Sequence, residues 1–280
     1  MVAMEGLTFG CDPELFIVNS DGDFVSPDNI IPGTKAEPYP VKYGAVQQDG
    51  MAAEFNIDPV RTFKEFERNI TTVMAELEKF LPEGHKLVCT PSATFSEKEW
   101  EKSSDTAKVL GCSPDFNAWT GTVNSPPEDL ENPRLRCAGG HLHYGWTDDA
   151  DMMNEQHIKN CRELVKQLDW YLASWSLRMD KDKLRRRLYG KAGSMRFKPY
   201  GVEYRTLSNF WLLNASRRKA VWDRMQKAIW NMRQAYSPDI AEKLDDGFGF
   251  SFNDALIESI NTSTRNKTLE DKFHFPIMSF

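Results

Sequence analysis

The chain has 280 residues, of which 40% are hydrophobic, and a formal net charge of −6. That apolar content supports one large domain or two small ones, and the acidic balance gives no general attraction to nucleic acid or to an anionic membrane. No window approaches the ~20 apolar residues that cross a bilayer, the opening MVAMEGLTF lacks a signal-peptide pattern, and Cys11, Cys89, Cys112, Cys137 and Cys161 show neither CxxC nor zinc-ribbon spacing. The expected setting is the reducing cytoplasm, without membrane or nucleic-acid partners.

In chain order, Leu7 to Val18 reads as a β-rich run ending in the turn cluster Asn19-Ser20-Asp21-Gly22, with a short return run at Phe24-Val25. Lys42 to Gln48 and Met51 to Ile57 flank Asp49-Gly50, a dipeptide suited to a two-residue hairpin turn. The period then changes. Phe63, Phe66, Ile70, Val73, Met74, Leu77, Phe80 and Leu81 recur at helical spacing, with Pro82 and Gly84 as the stop.

A strand is expected at Lys86 to Cys89, a short helix at Ser96 to Ser104 and a long loop from Ser113 to Pro133, the kind of segment that often carries function. Arg134 to Trp146 has a strand pattern flanked by glycines. Asn154 to about Asp180 and Asn214 to about Ala235 read as helices, with a strand between them at Val202 to Leu207. The economical architecture is α+β: residues 1–236 as one domain of mostly antiparallel strands with helices packed on one face, and 237–280 as a C-terminal extension on its surface.

Four of the strands carry polar pairs at i, i+2, where both side chains share a face: Asp12 and Glu14, Glu54 and Asn56, His141 and His143, Glu203 and Arg205. One such pair is ordinary on a sheet that shows that face to water. Four are different, since Gly139, Gly140 and Gly145 leave bare backbone around the histidines, as happens where a ligand approaches closely. If the strands share a sheet, the acids and imidazoles line one hollow. Converging carboxylates repel unless cations lie between them, and oxygen-rich ligation suits Mg²⁺ and Mn²⁺. The spacing leaves open which of His141 and His143 would be a ligand.

A basic segment follows: Arg185, Arg186, Arg187, Lys191, Arg196 and Lys198 around Gly190, Gly193 and Gly201. Guanidinium forks beside exposed amides make a phosphate-binding surface. Carboxylate-held metals next to a phosphate grip fit phosphoryl transfer from a nucleotide, although neither a P-loop nor a kinase glycine loop is present.

The order GCDPELF, DGMAAEFNIDP, GGHLHYGW and RRRLYGKAGSMRFKPYGVEYRTLSNFW, running from about Gly6 to Trp211, resembles the carboxylate–amine ligases of the glutamine synthetase and glutamate–cysteine ligase fold, and most of all the phage-type COOH·NH2 ligases, or amidoligases. The resemblance implies a glutamine synthetase-like domain holding ATP and Mg²⁺ (or Mn²⁺), with an amide formed through an acyl phosphate. By it, Glu14 and Glu54 would serve one metal, and Asp12, His141 or His143, and Glu203 another. Arg205 would contact the γ-phosphate or the acyl phosphate, and Glu54 and Arg196 would join it in catalysis. Lys191, Arg196 and Arg186 would contact phosphates or substrate. Asp12 departs from the family's ExE pattern and has shorter reach.

The implied partners are a small-molecule or peptide carboxylate and an amine, in the cytoplasm of a phage-infected bacterium; an oligomer is compatible with the eight tryptophans. Two other readings are a metal-dependent oxygenase or hydrolase built on HxH with a glutamate, and a non-catalytic nucleotide- or peptide-binding protein of the same fold. Bound iron or zinc would favour the first of these. ATP-dependent ADP release with pooled acids and amines would exclude the second.

Overall fold

The structure, a computed structural model, describes residues 6–109, 115–124, 132–233, 252–267 and 269. All strand pairs among them are antiparallel. One sheet runs β1 (Thr8–Cys11), β11 (Leu142–Gly145), β13 (Gly201–Tyr204), β12 (Ser194–Lys198), β9 (Phe116–Asn117). A second runs β3 (Phe24–Val25), β2 (Glu14–Val18), β6 (Ala52–Ile57), β5 (Gly44–Asp49), β4 (Tyr39–Val41), and β7 (Lys86–Val88) also pairs with β2. A small pair joins β8 (Ser92–Thr94) to β10 (Leu135–Cys137).

The polar pairs therefore do not share one sheet, the condition on which a single hollow was expected. Leu7 to Val18 is two strands, parted at Asp12-Pro13, and each strand belongs to a different sheet. Proline has no N–H for a ladder, and Pro13 sits where the chain changes partners: Cys11 still pairs with Leu142, while Glu14 pairs with Glu54. Arg134 to Trp146 divides in the same way at Gly139-Gly140, between β10 and β11.

The helices lie where the apolar faces require them. Helix α1 (Phe63–Glu78) starts with a reciprocal capping box, Thr62 with Glu65, and buries Phe66, Ile70, Val73 and Leu77. Two short helices follow, α2 (Glu97–Lys102) and α3 (Asp105–Lys108), each capped by a serine, Ser96 and Ser104. Helix α4 (Glu155–Leu168) is interrupted by a π-helical turn, Asp169–Ala173, before α5 (Ser174–Ser176), so the long helix expected there is not regular. After α6 (Lys183–Leu188), helix α7 (Ala215–Arg233) packs on both α4 and α1.

Phe9 meets Trp222 at 4.9 Å between ring centroids, and Phe66 meets Trp222 at 5.3 Å and Trp211 at 6.1 Å. This aromatic knot ties the first sheet to the helix of the second, and each buried ring stabilises by about 2–3 kcal/mol. In the C-terminal region, α8 (Phe252–Thr262) sends Leu256 and Ile260 into the same core. Residues 237–251, 268 and 270–280 of the expected extension lie outside the described residues.

Candidate functional site

Strand alternation turns two cross-strand rows away from the helices. On the first sheet, Gly10, His143, Glu203 and Arg196 stand opposite one another on β1, β11, β13 and β12. Their chain neighbours Phe9, Leu142, Tyr144, Val202 and Tyr204 face the core. On the second sheet, Gln47, Glu54 and Glu14 form the corresponding row on β5, β6 and β2. Asp12 is two residues from both Gly10 and Glu14, at the corner where the rows meet.

At that corner His143 Nε2 lies 2.8 Å from Asp12 Oδ1, and His141 Nδ1 lies 3.5 Å from the same oxygen. Although His143 Nε2 and Asp12 Oδ1 are within contact distance, both are buried atoms without a hydrogen bond of acceptable geometry, and so is Glu203 Oε2. One donor atom from each of Asp12, His143 and Glu203 falls within a 4.8 Å span. Two carboxylates and an imidazole at that spacing, with buried polar atoms whose hydrogen bonds are not completed within the protein, fit a hard divalent cation. His141 is less available, because its Nδ1 lies 3.3 Å from Arg205 Nη1, a donor. Burial works against charge on Asp12, but His143 and His141 beside it hold its pKa well below the usual carboxylate range.

Glu203 has no exposed side-chain surface and is ringed by cations: Arg205 Nη1 in direct contact, Lys198 Nζ at 2.9 Å and Arg196 Nη1 at 3.7 Å. Burial and Asp12 push its pKa up, yet Arg205 and the two histidines bring it down to about 2. Arg205 extends the β13 ladder by one bond, from its N–H to Ser194 O. Its Nε donates to Asp115 at 2.6 Å.

The second row is partnered differently, and the cation beside it is Lys35, whose pKa, against the effect of its burial, is raised by Asp49, Glu54 and Glu14. Glu54 accepts from Gln47 Nε2 at 2.8 Å, and Glu14 accepts from the Gly139 N–H at 2.7 Å. Burial raises the pKa of both; for Glu54 the carboxylates of Asp12, Asp49 and Glu14 add to the rise. Asp49, at the hairpin turn, pairs with Lys35 at 2.7 Å. Asp49, Glu14, Gly139, His141, Asp115 and Arg205 line a single cleft.

Other parts of the basic segment are built into the fold, although Arg185 also lines that cleft. Arg185 and Arg186 are buried, at 2% and 1% exposure. Arg185 donates to the carbonyls of Ala138, Thr206 and Leu207, and Arg186 to Thr206 O and Ser176 Oγ with Asp180 nearby. Arg186 is thus not part of the acid-lined wall, because its terminal nitrogens bond Thr206 O and Ser176 Oγ inside the fold. Lys191 gives its backbone carbonyl to Thr206 Oγ1 and Ser194 N.

The glycines also act differently from the expectation of ligand access. A Cβ on Gly139 would fall 2.0 Å from His141 Nε2, and one on Gly140 would fall 2.2 Å from Ser208 O. The bare backbone is covered by the protein's own groups.

Sequence reading did not single out Gln47, Asp115 or Tyr200. Gln47 was accessible in principle, since the Asp49-Gly50 turn fixes it opposite Glu54. Tyr200, whose hydroxyl bonds His143 Nδ1, and Asp115, on the long loop, had no local signal. The four described cysteines form no disulfide. No helix among the described residues is long and apolar enough to cross a membrane.

Comparison with known proteins agrees with the motifs. Residues 134–242, which contain β11, the basic segment and β13, match the family described as phage phiEco32-like COOH.NH2 ligase-type 2. The resemblance to phage-type amidoligases is borne out over that segment. No curated protein matches the chain. Among solved structures, a bifunctional glutathione synthetase from Pasteurella multocida aligns with 96% of the chain at 10% identity and a TM-score of 0.41. The chain spans about half of that protein's length, 48%.

Proposed function

We propose that the protein is an ATP-dependent carboxylate–amine ligase that forms an amide through an acyl phosphate, on a glutamine synthetase-like domain. The observation that carries this reading is the meeting of Asp12, His143 and Glu203 within 4.8 Å, beside Arg205 and across from Glu14 and Glu54. The match of residues 134–242 to a COOH.NH2 ligase family supports it. Asp12, His143 and Glu203 would hold one divalent cation and Glu14 with Glu54 another; Mg²⁺ there supplies charge neutralisation to a bound polyphosphate.

In the first step a carboxylate oxygen of the acid substrate attacks the γ-phosphorus of ATP, and the bond to the β–γ bridging oxygen breaks to release ADP. In the second, the amine nitrogen attacks the acyl carbon, loses a proton and expels inorganic phosphate. Arg205, held by Glu203 and Asp115, presents its remaining N–H groups to the phosphoryl oxygens as charge develops. Arg196 and Lys198 flank Glu203 on the same face and would bind acidic parts of the substrates. Water must be kept from the acyl phosphate, and the loop carrying Asp115 is the segment suited to cover it.

An HxH-based oxygenase or hydrolase has less support, because of the two histidines only His143 falls in the group with Asp12 and Glu203. The test is ADP release from Mg²⁺-ATP with pooled carboxylates and amines, with mass-spectrometric detection of the condensation product. Wild-type protein should release ADP only when an amine is present, and Glu54→Gln and Arg205→Ala should abolish this while folding normally. Wild-type turnover by either variant would sink the assignment.

A further inference from the structure

Helix α4 does not run evenly into α5: the π-helical turn Asp169–Ala173 lies between them. Single turns of this kind occur frequently at functional sites. The first residue of this one, Asp169, is a carboxylate with no exposed surface, beneath the first sheet. Its bonded partners are three neutral groups. Oδ2 accepts from Trp119 Nε1 at 2.7 Å and from the Gly193 N–H at 2.6 Å, and Oδ1 accepts from the Tyr204 hydroxyl at 2.8 Å. Burial lifts its pKa to about 6 in spite of these bonds. A carboxylate placed so is costly to the fold compared with a well-packed apolar residue, which directs attention to the geometry it imposes.

Each of the three donors belongs to a segment that meets Arg205. Trp119 is in the loop that carries Asp115, the partner of Arg205 Nε. That loop is a closed unit: the Asn124 N–H donates to Asp115 O at 2.7 Å, the Asn117 N–H to Thr122 O at 2.8 Å, and the Trp119 N–H to Asn117 Oδ1 at 2.9 Å. Gly193 precedes Ser194, whose carbonyl accepts the Arg205 N–H at 2.9 Å. At Gly193 φ is +77°, and a Cβ there would fall 2.7 Å from Asn117 Oδ1 and 2.8 Å from Trp119 Cδ1, so the loop lies directly against the start of β12. Tyr204 ends β13 and directly precedes Arg205; its ring turns to the core, whereas the guanidinium turns to Glu203. A guanidinium sits on a long side chain, and the direction of its fork is set by its partners.

We infer that Asp169 is a positioning residue for Arg205: from the far side of the first sheet it fixes these three segments relative to one another, and through Trp119 it holds Asp115 where the guanidinium keeps one orientation. The consequence for catalysis rests on the ligase reading, in which Arg205 meets the developing phosphoryl charge.

The test uses the full chain and two readouts. The first is hydrogen exchange at the Arg205 Nε–H in ¹⁵N-labelled protein, assigned from the signal lost in Arg205→Lys. Trp119→Phe keeps an aromatic ring and removes the indole N–H, and it should speed this exchange about five-fold, as expected for one lost hydrogen bond. Asp169→Asn should exchange like wild type, because its amide oxygen still accepts from Trp119 and Gly193 while its NH₂ donates to the Tyr204 oxygen. The second readout is amine-dependent ADP release. Trp119→Phe should lower kcat several-fold with KM for ATP unchanged, and adding it to Asp115→Asn should lower kcat no further, because one acts through the other. If Trp119→Phe does not fold, Tyr204→Phe, which removes the donor next to Arg205, carries the same expectation for the exchange. Unchanged exchange in the folded variant, or kcat losses that multiply in the double variant, would overturn the role of Asp169 while the ligase reading stands. Faster exchange in a protein whose wild type shows no amine-dependent ADP release would support the positioning of Arg205 and overturn the ligase reading.

Discussion

The two rows that face each other across the Asp12 corner are built from the same side chain, a buried glutamate in the middle of an antiparallel sheet, yet they are balanced in opposite ways. Glu203 is surrounded by Arg205, Lys198 and Arg196 and is held ionised, with a pKa of about 2. Glu54 has an amide partner, Gln47, and three nearby carboxylates, and its pKa is raised well above the ordinary range. A glutamate with its own counterions is part of a standing electrostatic frame. A glutamate set mainly among other carboxylates is a group whose charge gains most when a further cation arrives. The first sheet thus carries the fixed, cationic half of the site, and the second carries the half with the greater demand for metal.

The largest effect that separates the rows is expected at Glu203. Glu203→Gln takes the buried counter-charge from Lys198 and leaves Arg205 with Asp115 alone, which should destabilise the chelator-treated protein by about 3 kcal/mol in denaturant unfolding, the low end for a broken buried pair. Glu54→Gln removes a buried carboxyl whose charged form is opposed by burial and by the carboxylates of Asp12, Asp49 and Glu14, so the same measurement should give a stability equal to or above wild type, even though amine-dependent ADP release falls by about two orders of magnitude or more. Equal losses of stability in the two variants would break the comparison.

The rows should also respond oppositely to pH. Because the folded pKa of Glu203 is depressed, its contribution is in place above its unfolded value of ~4.3 and is lost as pH falls toward 2. The folded pKa of Glu54 is raised, so its contribution is complete below ~4.3 and is lost as pH rises through the folded value. Asp169, buried beneath the first sheet and raised to about 6, acts in the same sense as Glu54. Unfolding free energies of the metal-free protein should therefore decline on both sides of an optimum. The alkaline decline should shrink in Glu54→Gln and, separately, in Asp169→Asn. A decline on that side unchanged by either substitution would contradict the raised values.

Much of this contrast was legible in residue order. Alternation placed Glu203 beside Arg205 on one face, the Asp49-Gly50 turn fixed the β5–β6 register, and the helical period of α1 followed its apolar stripe. The division into two sheets was harder to read, because Leu7 to Val18 has strand composition throughout and only the missing N–H of Pro13 marks the change of partner. The basic run misled for a related reason. Charge order does not reveal which guanidinium is swallowed, and Arg185 and Arg186 spend their N–H groups largely on carbonyls inside the fold. Gly139 and Gly140 likewise record close approach by His141 and Ser208, and close approach by the chain itself leaves the same trace in sequence as approach by a ligand.

The smallest expected effect sharpens the comparison within the first row. Asp115 and Glu203 both bind Arg205, but Glu203 also anchors Lys198, whereas Asp115 comes from the loop and touches the guanidinium at Nε alone. In Asp115→Asn the amide oxygen still accepts from Nε, and Glu203 still supplies the counter-charge. Stability should then fall by no more than about 1 kcal/mol. What is lost is the charge-assisted grip that fixes the plane of the guanidinium. If Arg205 acts on the developing phosphoryl charge, kcat should drop several-fold with little change in KM for ATP, because a tilted fork weakens the transition state more than the ground state. A rise in KM alone, with kcat intact, would instead assign Arg205 to ground-state binding of the nucleotide and leave the fixed half of the site with a holding role.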